Sequence, residues 1–320
     1  MLKIVAGLGS IDEYIPFVQA GADECFCGYV PYSWSKKYGT IMPLNRREVF
    51  CYNVQLGSFS ELEILSAMIK KHKKPVHLTF NSLYYIPEQY PEIARIIKQC
   101  MELDFRSYIV ADPALFQYLR EQKIPCEMHL SGETGEVNSL MVKAFHFQQL
   151  TRVIFHRKNT LTDMQSVIQK SGTGLEFEAF VLNELCQFTG AFCNSLHCDE
   201  MGYLCQVPYR IGTVKSSDQI QKHSLSLFPE INENAYDETG YLCGESGCGL
   251  CALYQLQKAG ITHLKLVGRG NYTDFMEKDI RNLRKALTIL AASVDEPDYQ
   301  KQLKRNLFPY GCSRNCYYAS

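Results

Sequence analysis

The sequence lacks an excess of charge of either sign, any long apolar run and any low-complexity tract, and each absence removes a class of function. Lys and Arg number 33 against 34 Asp and Glu, for a net charge of -1 and a pI near 6.7. Nothing global therefore draws the chain to nucleic acid, and any RNA contact has to be local. No apolar stretch approaches the roughly 18 residues a membrane span needs, and the opening run Met1-Leu2-Lys3-Ile4-Val5-Ala6-Gly7-Leu8 is too short for a signal peptide. The expectation is a soluble cytoplasmic protein with no membrane partner. There is no His-Glu-x-x-His motif, no nucleophile elbow and no Ser-His-Asp order, so hydrolysis has no residues to rest on. No internal repeat is visible beyond an alternation of strands and helices.

What is abundant is cysteine. Fourteen are present, and seven of them (Cys186, Cys193, Cys198, Cys205, Cys243, Cys248 and Cys251) fall in one glycine-rich stretch poor in charge. In a reducing compartment that density points to thiolates gathered around a soft metal rather than to a disulfide framework. A further pair, Cys312 and Cys316, lies near the end of the chain. Cys100 and Cys126 fit core positions; Cys25 and Cys27 alternate on a strand, and Cys27, which ends it, is placed to face the pocket.

Short β-rich runs alternate with amphipathic stretches throughout. Strands are expected over Lys3–Leu8, Glu24–Cys27, Val76–Asn81, Tyr108–Asp112, Cys126–Leu130, Val153–Arg157, Leu175–Val181 and His263–Gly268. Helices are expected over Asp12–Ala20, Phe59–Lys71, Pro91–Leu103, Pro113–Gln122, Glu136–Gln148, Leu161–Gln169, Leu250–Lys258 and Thr273–Ala292. Ser58 with Glu61 and Thr160 with Asp163 fit capping boxes, Pro91 and Pro113 suit first turns, and Gly21 and Gly260 suit helix ends. Eight strand-then-helix units make a (β/α)8 TIM-type barrel the expected α/β fold, with an open doubly wound sheet as the alternative. The barrel spans 1–295, an insertion over 183–249 after strand seven carries the cysteine cluster, and 296–320 forms a cysteine-containing tail. A second gap, about Gly28–Gly57, follows strand two. Both gaps follow the C-terminal ends of strands, where such barrels build their sites.

The segment Glu178-Ala-Phe-Val-Leu-Asn-Glu-Leu-Cys186-Gln-Phe-Thr-Gly-Ala-Phe-Cys193 resembles the signature of the peptidase U32 family, an acidic strand end followed by two cysteines seven apart. Gly21-Ala-Asp23, Thr79-Phe-Asn81-Ser-Leu83, Ala111-Asp112-Pro113, His129, Asn138, Arg157 and Lys265-Leu-Val-Gly-Arg269 extend the resemblance in order along the chain. Better understood members of that family look like oxygen-independent hydroxylation proteins that hold a 4Fe-4S cluster on four cysteines. Their substrates include tRNA uridine, ribosomal RNA cytidine and ubiquinone precursors, with prephenate implicated as an oxygen source. The resemblance implies Cys186 and Cys193 as the first two ligands. Cys205 is the third, because Cys205-Gln206-Val-Pro208-Tyr-Arg210 resembles the family's Cys-Gln-Pro-Cys-Arg motif; one inserted residue and Tyr209 in place of a cysteine leave Cys198 as its rival. Counting back from Ala259-Gly260 aligns Cys248 with the fourth ligand, while the separation from the third also suits Cys243, and Cys251 completes a Cys-x-x-Cys.

A cluster is preferred to zinc because only Cys248/Cys251 and Cys312/Cys316 have the tight Cys-x2-Cys or Cys-x3-Cys spacing of zinc knuckles. Zinc remains the alternative, and Cys312 and Cys316 with unused members of the 243–251 group can form a second site. His129, Arg157, Glu178 and Arg269 are expected at the barrel mouth as catalytic residues, with the two arginines suited to clamp an anion. Tyr29, Tyr32, Trp34 and Tyr38 crowd the loop after strand two, as a packed lid or a stacking surface. The expected function is oxygen-independent hydroxylation or another oxidative modification of an aromatic ring or base, a small aromatic or anionic substrate being preferred to RNA. The alternatives are a peptidase in keeping with the family name and a non-catalytic iron-sulfur or zinc subunit paired with a second U32-type protein.

Overall fold

In a computed structural model, the structure describes residues 2–39, 42–46, 54–135, 137–145, 149–186, 191, 193 and 231–318. Eight parallel strands pair in sequence order and close on themselves: β1 (Lys3–Leu8), β2 (Glu24–Gly28), β3 (Val76–Phe80), β4 (Ser107–Val110), β5 (Glu127–Leu130), β6 (Leu150–Ile154), β7 (Glu176–Leu182) and β8 (His263–Leu266). The closing pair sets Lys3 opposite His263 and Ala6 opposite Leu266. This is the (β/α)8 barrel. Its helices are α1 (Tyr14–Ala20), α2 (Tyr32–Tyr38), α3 (Phe59–His72), α4 (Gln89–Glu102), α5 (Pro113–Glu121), α6 (Ser139–Phe145), α7 (Leu161–Lys170), α8 (Leu253–Ala259), α9 (Thr273–Ala292) and α10 (Glu296–Leu307). Among the described residues, none of them is long and apolar enough to cross a membrane.

The local signals account for most helix starts. Both capping boxes form, Ser58 with Glu61 and Thr160 with Asp163. Thr160→Ala should lower stability by about 1 kcal/mol, read as a drop in the urea midpoint at unchanged slope. Pro113 opens α5 behind an Asp112 cap, whereas α4 starts two residues before Pro91. Gly21 and Gly260 end α1 and α8 in the left-handed region. The expected helix over Leu250–Lys258 is divided into a 3-10 turn (Leu250–Ala252) and α8.

Three elements differ from expectation for identifiable reasons. Strand six begins at Leu150 and ends at Ile154, because the backbone N–H of His156 meets the Asn159 side chain in a turn just beyond. Helix six is shorter than Glu136–Gln148: Asn138 accepts from the N–H groups of Leu140 and Met141 and sets its start. The tail contains a full helix, α10, capped by Asp295 and packed on α8 and α9. Inside the gap after strand two, α2 buries Trp34 completely while Tyr32 stays exposed, so Trp34 belongs to the packed lid.

Two apolar cores lie on opposite sides of the barrel wall. The larger fills the space between strands and helices and includes Cys25, Cys27, Cys100 and Cys126. Cys27 thus faces the helices, not the pocket, and burial pushes its thiol up to about 12. The smaller core lies within the barrel: Val5, Phe26, Ile109 and Phe180 come from the interiors of their strands and Ile154 from the end of β6, joined by Val267 and Tyr317. It divides the interior into two polar compartments.

Candidate functional site

The compartment toward the N-terminal ends of the strands is an ion network centred on Arg152, which is 2 % exposed. Its guanidinium donates to Glu24 (2.7 Å), Glu176 (2.7 and 2.9 Å) and Glu178 (2.9 Å). Lys265 donates to Glu178 at 2.6 Å, Lys3 to Glu24 at 2.9 Å, and His77 and His263 also meet Glu24. Three carboxylates thus face three fixed cations. Burial favours the neutral acid at Glu178, but Lys265 and Arg152 outweigh it and hold the carboxyl down to about 2. Burial lowers the pKa of His129 well below its ordinary value, and neighbouring His77 and Arg152 add to this. A cleft of about 510 Å³ opens at this end, with His77, His129 and Arg152 among its lining residues.

His129 and Glu178, expected at the mouth, therefore lie in the opposite compartment. Glu178 is the third residue of β7 and His129 the third of β5, and the inner apolar layer stands between them and the strand C-termini. They were expected at the mouth as polar residues near strand ends; their depth depends on how each strand is staggered in the barrel.

At the C-terminal mouth the structure brings together Arg157, Arg269, Arg46, Glu133 and Tyr317. Arg157 donates to Glu133 at 3.2 Å and its guanidinium lies 4.3 Å from the centre of the Phe180 ring. Burial works against its charge, but Tyr317, Glu133, Glu184 and Cys186 outweigh that and raise its pKa. Arg46 lies 3.7 Å from the same Glu133 and also donates to the carbonyl of Cys193. Arg269 reaches across to Thr79, with Nη1 to Oγ1 at 3.4 Å. A Cβ on Gly28 would sit 2.8 Å from that Nη1, so the absent side chain is what admits the arginine.

The end of the chain closes one side of this mouth. Cys248 N–H donates to the Asn315 carbonyl (2.8 Å), Tyr317 N–H donates to the Cys248 carbonyl (2.9 Å), and Cys248 also bridges Leu182, the last residue of β7. Tyr317 then donates its hydroxyl to the Asn183 carbonyl, and Tyr318 donates to that of Phe180 at 2.7 Å.

Of the expected ligands, Cys186 and Cys193 follow β7 and lie at this mouth, beside Arg157 and Arg46 respectively. Cys198 and Cys205 fall outside the described residues. Cys243 is buried against Asp279, and Cys248 neighbours both Cys243 and the group Cys251, Cys312 and Cys316. Among the described residues, no three His, Cys, Asp or Glu side chains are gathered closely enough to hold a metal ion as they stand. Arg46, Glu133 and Tyr317 were not singled out from the sequence. The first two sit in loops with no motif of their own, and the only sign of Tyr317 was its place beside Cys316.

The chain is 27% identical over 173 residues to tRNA hydroxylation protein P of Escherichia coli (strain K12), an alignment that takes in 54% of this chain and 34% of that protein. The chain thus spans about a third of the length of that relative. Solved structures similar to it include a U32 peptidase (12% identity, TM-score 0.44, 57% of this chain and 69% of that one) and the dihydrodipicolinate synthase of Aquifex aeolicus (8% identity, TM-score 0.46, 96% and 80%). The profile of Peptidase family U32 matches residues 9–319, nearly the whole length, and the chain therefore belongs to Peptidase family U32.

Proposed function

We propose that the protein is an iron-sulfur member of its family that carries out, or assists, oxygen-independent hydroxylation or a related oxidation of an aromatic ring or base at the C-terminal mouth. The observation that carries this reading is the placement of Cys186 and Cys193 at the mouth, each beside a half-buried arginine. The name of the tRNA hydroxylation relative supports the reaction class.

The residues present fit a 4Fe-4S cluster. Four thiolates around a cubane leave the group negatively charged, and Arg157 and Arg46 supply compensating cations. Cys186, Cys193 and Cys205 would hold it, with a fourth ligand from the segment Cys243–Cys248; when bound it supplies one-electron chemistry. The chain's own residues do the rest. Phe26 and Phe180 belong to an apolar floor on which a planar ring can lie, and Tyr317 limits access to water. Arg269 and Arg157 are suited to hold a carboxylate or phosphate on the substrate or on its oxygen donor. That recognition fits a small anionic aromatic, and it equally fits a nucleotide held locally.

Protein prepared without air should contain iron and sulfide in equal amounts, and Cys186→Ala or Cys193→Ala should lose nearly all of both while keeping the melting profile. Iron-free wild-type protein, or full iron in both variants, would overturn the proposal. Mass spectrometry of tRNA nucleosides and of small aromatic metabolites from a deletion strain would separate the two substrate classes.

A further inference from the structure

Two short cysteine pairs that lie far apart in sequence meet beside the mouth. Cys248 precedes the 3-10 turn that leads into α8 and Cys251 lies within it, while Cys312 and Cys316 bracket a short irregular segment of the tail. Backbone hydrogen bonds join them: Cys248 and Cys316 form a parallel bridge, so their side chains start from adjacent Cα atoms on one ladder. All four thiols lie within electrostatic reach of one another. Cys248 is influenced by Cys251, Cys312 and Cys316, Cys251 by Cys312 and Cys316, and Cys316 by Cys312.

The surroundings are built as for a metal knuckle. The N–H of Leu250 points at the sulfur of Cys248, the contact that steadies a thiolate in a Cys-x-x-Cys turn. In the tail segment Arg314 takes a left-handed backbone (φ 57°), a conformation unfavourable to a residue with a side chain. That segment is pinned from outside: Ser313 donates to the Gly244 carbonyl at 2.8 Å, and its hydroxyl accepts from Asn315 N–H at 3.3 Å. Lys304 of α10 lies near Cys251 and Cys316, a cation placed against whatever charge the sulfurs carry. Cys316 is exposed and Cys251 and Cys312 are half-buried, which leaves a route for an ion from solvent.

We propose that Cys248, Cys251, Cys312 and Cys316 form a structural zinc site, separate from the thiolates of the proposed cluster, that fastens the tail across the barrel mouth. Pairs spaced Cys-x2-Cys and Cys-x3-Cys are the spacings a tetrahedral zinc ion takes, and here the backbone already sets the two pairs side by side. The sulfurs need χ1 rotation to close on the ion, a movement of side chains on a fixed frame. Four deprotonated sulfurs around Zn²⁺ leave a doubly negative group, which Lys304 partly offsets. With Cys248 held here, Cys243 becomes the fourth ligand of the cluster.

The test is metal analysis of the full chain, purified without air, as wild type, Cys312→Ser/Cys316→Ser and Cys186→Ser/Cys193→Ser. The wild type should carry a single zinc ion; the tail double variant should lose it while keeping iron and sulfide, and the mouth double variant should show the reverse. Zinc retained by the tail variant, iron lost from it together with zinc, or a disulfide between any two of the four cysteines in the wild type would overturn the assignment. Because the tail variant can fold poorly, metal-stripped wild type is also titrated with Co²⁺. Intense thiolate-to-cobalt absorption that equimolar Zn²⁺ removes is expected, and its absence refutes the site. The zinc readout does not depend on whether iron is found, so failure of one proposal leaves the other standing.

Discussion

Arg152→Met should destabilise the protein by about 3–5 kcal/mol, the cost of stranding buried charge rather than of losing contacts. Methionine keeps the unbranched stem and fills most of the volume. It leaves Glu24 and Glu178, both nearly inaccessible, without the cation they share, while Glu176 at the rim can turn to solvent. Pairing the change with Glu178→Gln should recover a large part of the loss, because Lys265 and one remaining carboxylate are then closer to balance. Urea denaturation of the two variants settles the matter. A loss under about 1 kcal/mol for Arg152→Met would mean that the network contributes little.

Acid should remove stability in a defined window. The folded-state pKa of Glu178, about 2, lies below its unfolded value of 4.5, so its contribution is complete above pH 4.5 and drains away as pH falls toward 2. The two values imply on the order of 3 kcal/mol from this residue. Glu24 acts in the same direction: burial opposes its ionisation, but His263, His77 and Arg152 hold its carboxyl far below the usual range. Unfolding free energy measured from about pH 6 downward should therefore fall steeply below pH 4.5, and Glu178→Gln should flatten part of that slope. An unchanged slope in the variant would show that other carboxylates govern acid unfolding.

Much of the fold was legible because local chemistry and global topology agree. The bounds of β1 and α9 follow from apolar periodicity alone, and the capping boxes of α3 and α7 fix their starts. Strand six was displaced because Arg152 looks like the end of a loop until its three carboxylates, contributed by β2 and β7, are in place. Helix α10 was overlooked although Asp295 and Pro297 form a sound start signal, since a polar helix near a chain end has a weak apolar stripe. The residues gathered at the C-terminal mouth were only half visible in the sequence. Arg157 and Arg269 stand out by their places after strands, whereas Arg46 and Tyr317 arrive from distant loops, and nothing local marks a residue whose role depends on a partner more than a hundred positions away.

The inner layer of Val5, Phe26, Ile109, Ile154 and Phe180 has a consequence for how this barrel can change over time. Reactive sites usually trade stability for function, because the strained or charged groups that do chemistry are those the fold would rather be without. Here the deep ionic anchor and the rim, where we place the proposed reaction, are insulated from each other by hydrocarbon. Substitutions at the rim can explore new substrates without disturbing the anchor, and the anchor can tighten without narrowing the rim, so that one scaffold can diversify at little risk to its own folding.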